Sequence, residues 1–136
     1  MAHAVMKALL AERGLSDWTV DSCGTGSWHV GKDADPRTRA VLKRQGISHH
    51  HRARQLERED FRRFDWLLAM DEDNLIDLES AAPNDARAAL ALLGDYDPHG
   101  RSEVPDPYYG GDDGFDRVYE LVLRCCTSFL DHHGTG

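Results

Sequence analysis

Apolar residues near the start of the chain fall at Val5, Met6, Leu9 and Leu10, three to four positions apart, and Gly14 stands where a left-handed helix end belongs. The spacing predicts one amphipathic helix over Met1 to Gly14. Trp18 to Ser22 has the composition of a short strand and runs into the glycine-rich Cys23 to Gly26. A helix is expected from about Arg37 to Gln45, with Pro36 in its first turn and Gly46 as its stop. Phe64 to Met70 is nearly all apolar, the mark of a strand covered on both faces. The acids Asp71, Glu72 and Asp73 that follow suit the positive end of a helix carrying Leu75, Ile76 and Leu78. Ala86 to Tyr96 fits helix or buried strand, and a strand around Leu90 to Leu93 is the reading adopted. A long loop, Asp97 to Gly114, precedes a last helix over Phe115 to His132, where Phe115, Val118, Leu121, Val122, Cys125 and Phe129 repeat at helical spacing.

Strands alternating with helices predict an α/β fold with a small parallel sheet between helical layers, in one domain over residues 1–136. In such sheets ligands bind beyond the carboxyl ends of the strands, here the loops Ser22–Gly31, Met70–Asn74 and Asp95–Gly111. Charge narrows the partners. Lys and Arg total 16 against 24 Asp and Glu, a net charge of −8, and a field of that sign repels nucleic acid. No apolar run approaches the roughly 18 residues of a membrane span, and no basic, then apolar, leader opens the chain. Three cysteines, two of them adjacent, make no disulfide framework, so a reducing, cytoplasmic setting is expected.

Several motifs invite chemistry. Gly26 to Lys32 fits the spacing G-x-x-x-x-G-K of a phosphate loop, but Asp33 replaces the Ser or Thr that would hold magnesium, and with Asp35 it places negative charge beside the phosphates. A nucleotide site is disfavoured. His49, His50 and His51 are consecutive, point in different directions and have no second ligand at zinc spacing, so no metal is expected. Cys125 and Cys126 read as core. The most informative stretch is Val104 to Gly111. Asp106 is held between Pro105 and Pro107, which restrict its backbone on both sides, and Tyr108 and Tyr109 beside it offer flat aromatic faces. A fixed carboxylic acid next to aromatic walls is what protonating a phenolic leaving group requires.

With these residues placed, the chain resembles the low-molecular-weight protein-tyrosine phosphatases. The resemblance rests on DSCGTGSWHVG at 21–31, DPR at 35–37, HRARQ at 51–55, FDWLLAMDEDNL at 64–75, LLGDYDP at 92–98 and DPYYGG at 106–111. It implies a four-stranded parallel sheet of order 2-1-3-4, no cofactor, and phosphotyrosine proteins or aryl phosphates as substrates. It makes Asp106 the general acid and base, Trp28, Tyr108 and Tyr109 the walls of the substrate cleft, and Ser22 and His51 the residues that brace the phosphate loop. It also exposes a departure. The family's nucleophile lies in a C-x5-R-S loop between a first strand and the helix that opens this chain. Six residues after Cys23, Cys125 and Cys126 stand His29, Asp131 and His132, none of them Arg.

The resemblance therefore implies a chain that lacks the family's first strand and phosphate loop, Met1 being an internal position of a longer phosphatase. As it stands such a chain would be inactive, and its unpaired strand edges would favour an oligomer. The alternative is a non-catalytic relative that works as a binding or interaction protein. Arsenate reduction, which related proteins perform with extra cysteines after the third strand, is disfavoured because residues 70–84 contain none.

Overall fold

The computed structural model describes residues 1–15, 17–24, 36–47, 54–104 and 112–133. In chain order the elements are helix α1 (Ala2–Glu12), α2 (Pro36–Arg44), α3 (Asp60–Arg63), strand β1 (Trp66–Ala69), α4 (Glu72–Ala81), β2 (Ala89–Leu92), a single 3-10 turn (Leu93–Tyr96) and α5 (Asp112–His133). Among the described residues the sheet has two strands. β1 and β2 run parallel, with Trp66 opposite Ala89 and Ala69 opposite Leu92. Parallel neighbours need a crossover, and α4 supplies it.

Side-chain alternation along β1 divides the interior. Trp66, Leu68 and Met70 pack against one cluster, built from Val5 and Leu10 of α1, Val41 and Leu42 of α2, and the buried stripe of α5. Leu67 and Ala69 turn to the opposite face, where Phe61, Leu78 and Leu92 form a second cluster beneath α3 and α4. This period of two, with both faces covered, is why Phe64 to Met70 reads as an almost unbroken apolar run. The result is three layers, as expected from sequence.

α5 presents Phe115, Val118, Tyr119, Val122, Cys125, Cys126, Phe129 and Leu130 to the first cluster, at the spacing of a helix with one buried face. Both cysteines are core, as expected. α4 opens on Asp71, whose carboxylate accepts the Asn74 N–H at 2.8 Å, and carries Glu72 and Asp73 in its first turn. The predicted stops are also in place, with Gly14 and Gly46 at φ of 69° and 76°.

Two elements differ from the sequence reading. α3 was not anticipated, because a four-residue helix is too short to show periodicity. Trp18 to Ser22 forms no ladder. Its alternation survives, since Trp18 and Val20 pack against the first cluster, but the chain first pairs beyond it, in an isolated parallel bridge between Gly24 and Gln55. A strand needs a neighbour as well as a pattern, and none lies alongside this segment among the described residues.

The core assignment predicts that Leu130→Ala, at a side chain with no exposed surface, costs about 2–5 kcal/mol in urea unfolding. Ile76→Ala, more than half exposed on α4, changes stability by less than about 0.5 kcal/mol.

Candidate active site

The carboxyl ends of the strands come together as the alternation of elements requires. Ser22 and Cys23, at the end of the first extended segment, line the same open trough as Met70 and Asn74 at the end of β1. The third segment reaches them through Val104, whose N–H donates to the Met70 carbonyl at 2.7 Å. That hydrogen bond fixes the chain two residues before Asp106.

The loop leading to Val104 is held from below. Asp97, almost fully buried after the 3-10 turn, receives both Arg124 of α5 at 3.3 Å and the Ser102 hydroxyl at 3.1 Å. Its other oxygen contact is the His99 N–H at 2.9 Å. Arg124 is the main reason the carboxyl sits below its usual pKa, against the opposing effect of burial, with the His99 and Ser102 donors adding to it. Gly94 closes the turn against this loop: a Cβ there would lie 1.6 Å from the Ser102 carbonyl oxygen, so only glycine permits the approach.

On the other side of the trough, Ser22 Oγ lies 2.9 Å from Nδ1 of His3, on the first turn of α1. Next to it Arg54 bridges two carboxylates. Its Nε donates to Asp21 at 3.1 Å, and its NH1 and NH2 donate to the two oxygens of Asp60 at 3.0 and 2.8 Å. Asp60 also accepts the Glu57 N–H at 2.8 Å, and Asp21 accepts the Ser22 N–H at 2.8 Å. Burial alone would raise the Asp60 carboxyl, but the Arg54 and Glu57 donors outweigh it and hold the acid below its usual value. The same pairing raises the Arg54 guanidinium, which stays charged at any accessible pH. Arg54 therefore ties α3 to the segment that ends in Ser22.

Ser22 is the expected site residue that lies within the described structure, and it is placed on the trough as anticipated. Trp28, His51, Asp106, Tyr108 and Tyr109 lie outside the described residues. His3, Arg54 and Asp60 were not singled out from sequence. Arg54 had a signal, standing inside HRARQ, whereas His3 looks like any polar position on an amphipathic helix.

The described thiols are poor nucleophiles. Burial raises Cys23, with Arg54 partly opposing it, and burial pushes Cys125 up to about 11 and Cys126 up to about 12. No group of three His, Cys, Asp or Glu side chains that could hold a metal occurs among the described residues, and no described helix is long and apolar enough to cross a membrane.

The Arg54–Asp60 pair has a pH signature. Because the folded-state pKa of Asp60 is lowered, its contribution is complete above the unfolded carboxylate value, about 3.9, and fades as pH falls through the lower folded value. Asp60→Asn is expected to cost about 1–3 kcal/mol at neutral pH. In chemical unfolding measured from pH 7 to pH 3, the difference between the two proteins should shrink below about pH 4.

Comparison with known proteins agrees with this arrangement. Residues 1–134 match the family described as low molecular weight phosphotyrosine protein phosphatase. The chain is 42% identical over 134 residues to the low molecular weight phosphotyrosine protein phosphatase of Sus scrofa, covering 96% of this chain and 85% of that one. It is 45% identical over 133 residues to the Schizosaccharomyces pombe protein of the same name, with the same shares covered. The crystal structure of a protein tyrosine phosphatase from Entamoeba histolytica, with Hepes in the active site, superposes with a TM-score of 0.90 at 34% identity, over 99% of this chain and 89% of that one. With the fold, the converging strand ends and the ordered motifs all in agreement, the chain belongs to the low molecular weight phosphotyrosine protein phosphatase family.

Proposed function

We propose that these residues form the acid-bearing and substrate-shaping part of a phosphotyrosine phosphatase site. In this reading Asp106 protonates the phenolic oxygen as it leaves phosphorus and later takes a proton from the attacking water. Trp28, Tyr108 and Tyr109 flank the aromatic ring of the substrate. Ser22 and His51 brace the loop that binds phosphate. The reaction needs no cofactor: a thiolate takes the phosphoryl group, and water then releases it as phosphate. The substrates are phosphotyrosine proteins or aryl phosphates in the cytoplasm.

The observation that carries this reading is the hydrogen bond between the Val104 N–H and the Met70 carbonyl, with the buried Asp97–Arg124 pair behind it. It brings the proline-flanked acid segment to the lip of the trough where Ser22 lies. An acid that must reach a leaving group within hydrogen-bond distance needs such an anchor.

The nucleophile is the part these 136 residues do not supply. None of the three cysteines has arginine six positions later, and all three thiols are held protonated by burial. A C-x5-R loop placed at the N-terminal end of α1, where His3 meets Ser22, would complete the site. The same observation supports the second reading, a non-catalytic relative that binds through its aromatic walls.

The 136-residue chain is expected to show no turnover of aryl phosphates above background. A version extended at the N-terminal end of α1 by a strand and a C-x5-R-S loop should hydrolyse them, and Asp106→Asn in that version should slow the rate by about 10²–10⁴-fold. The loss should be smaller with leaving groups that need little protonation. Steady-state kinetics over a series of aryl phosphates checks this. Thiol-dependent turnover by the unextended chain, or an unaffected Asp106→Asn enzyme, would overturn it.

A further inference from the structure

The trough is larger than its role as a lip for catalytic side chains requires. Its volume is about 1020 Å³, at the top of the roughly 300–1,000 Å³ usual for small-molecule pockets. It runs between two backbone stretches, Trp18–Gly24 on one wall and Phe64–Met70 on the other. β1 spends one edge on its ladder with β2, and its second edge faces the trough. Both covers are apolar: Met6 and Phe129 reach it from the first cluster, and Leu56 and Leu78 from the second. A slot with a strand edge on one side, extended chain on the other and apolar side chains above and below has the shape of one missing parallel strand.

We propose that this trough is a receptor for a single extended segment of another polypeptide, inserted parallel to β1 as a new strand, apolar on both faces and flanked by basic residues. Recognition would come from main-chain hydrogen bonds to the β1 edge and from alternate side chains entering the two clusters. Charge selects the flanks. The trough is lined by Asp17, Asp21, Asp60 and Asp65 against Arg54 and Arg63, and Arg54 is already engaged by Asp21 and Asp60. A second copy of this chain is a poor occupant. Outside the described elements, residues 25–35, 48–53 and 105–111 contain no run of four apolar residues, and β1 and β2 of a second copy are committed to its own core.

The binding goes beyond the phosphatase reading and needs no nucleophile, so it can be tested without chemistry. The probe is a synthetic peptide of about five consecutive Val, Leu and Ile residues, a usual strand length, between lysine pairs. Added to the 136-residue chain, it should slow amide exchange at Leu67 to Met70 by roughly tenfold or more and shift the fluorescence of Trp18 and Trp66. The same peptide with proline at its centre, which lacks a donor and cannot stay in a ladder, should bind at least about tenfold more weakly. Replacing the exposed Asp17 and Asp65 by lysine should weaken the lysine-flanked peptide and favour a glutamate-flanked one, more so at low salt.

Unchanged exchange at β1 in a folded chain would overturn the proposal. So would equal binding of the proline peptide, a chain that stays unfolded with peptide present, or self-association that protects the same amides. The phosphatase reading fails separately, through an inactive extended enzyme.

Discussion

The structure depends on β1 being covered on every side. Its four residues and the flanking Met70 send side chains alternately into two separate hydrophobic clusters, so one short segment joins α1, α2 and α5 on one face to α3 and α4 on the other. Its backbone is equally committed, with one edge in the ladder to β2 and Met70 accepting the Val104 N–H just past its end. A buried strand cannot leave polar backbone groups unpaired without a cost of several kcal/mol across the edge. The trough beside β1 is therefore where the rest of the fold concentrates its unmet hydrogen-bonding capacity.

Around that strand, ionic contacts decide where the chain ends point. Arg54 binds Asp60 through two nitrogens and Asp21 through a third, which holds the segment before Ser22 against α3. Arg124 does the same for Asp97 and the loop toward Asp106. Both carboxylates are buried while their guanidinium partners are partly exposed. In that arrangement the acid keeps its charge through several donors and the arginine keeps part of its hydration, which avoids most of the penalty of a fully buried pair. These contacts serve position more than stability, because each one anchors a segment that leads to a strand end.

Family membership and side-chain chemistry bear on different halves of the reaction. The matches cover 96% of this chain and 85% of the relatives in Sus scrofa and Schizosaccharomyces pombe, and the supports for an acid loop are all in place. The described thiols belong to the opposite category: Cys125 and Cys126 are packed on α5 like small apolar residues, and their raised pKa values follow from that packing. A catalytic thiolate requires the reverse environment, one rich in donors and positive charge.

Much of this was legible in the residues themselves. The stripe on α5, the doubly covered run at β1, the Asp71 cap and the stops at Gly14 and Gly46 are local patterns whose periodicity needs no knowledge of partners. Asp106 between two prolines, with Tyr108 and Tyr109 following, likewise announces its chemistry from sequence alone. What only the tertiary structure decided involves residues far apart in the chain: His3 meeting Ser22, Arg54 shared between Asp21 and Asp60, Arg124 holding Asp97, and Trp18 to Ser22 keeping a strand's alternation without a strand's ladder. Side-chain alternation is set by each residue's own backbone, whereas a ladder or an ion pair exists only if folding brings a distant partner within about 3 Å. That is why the sequence determined which segments are strands and helices, and the packed chain alone decided which edges and charges found a partner.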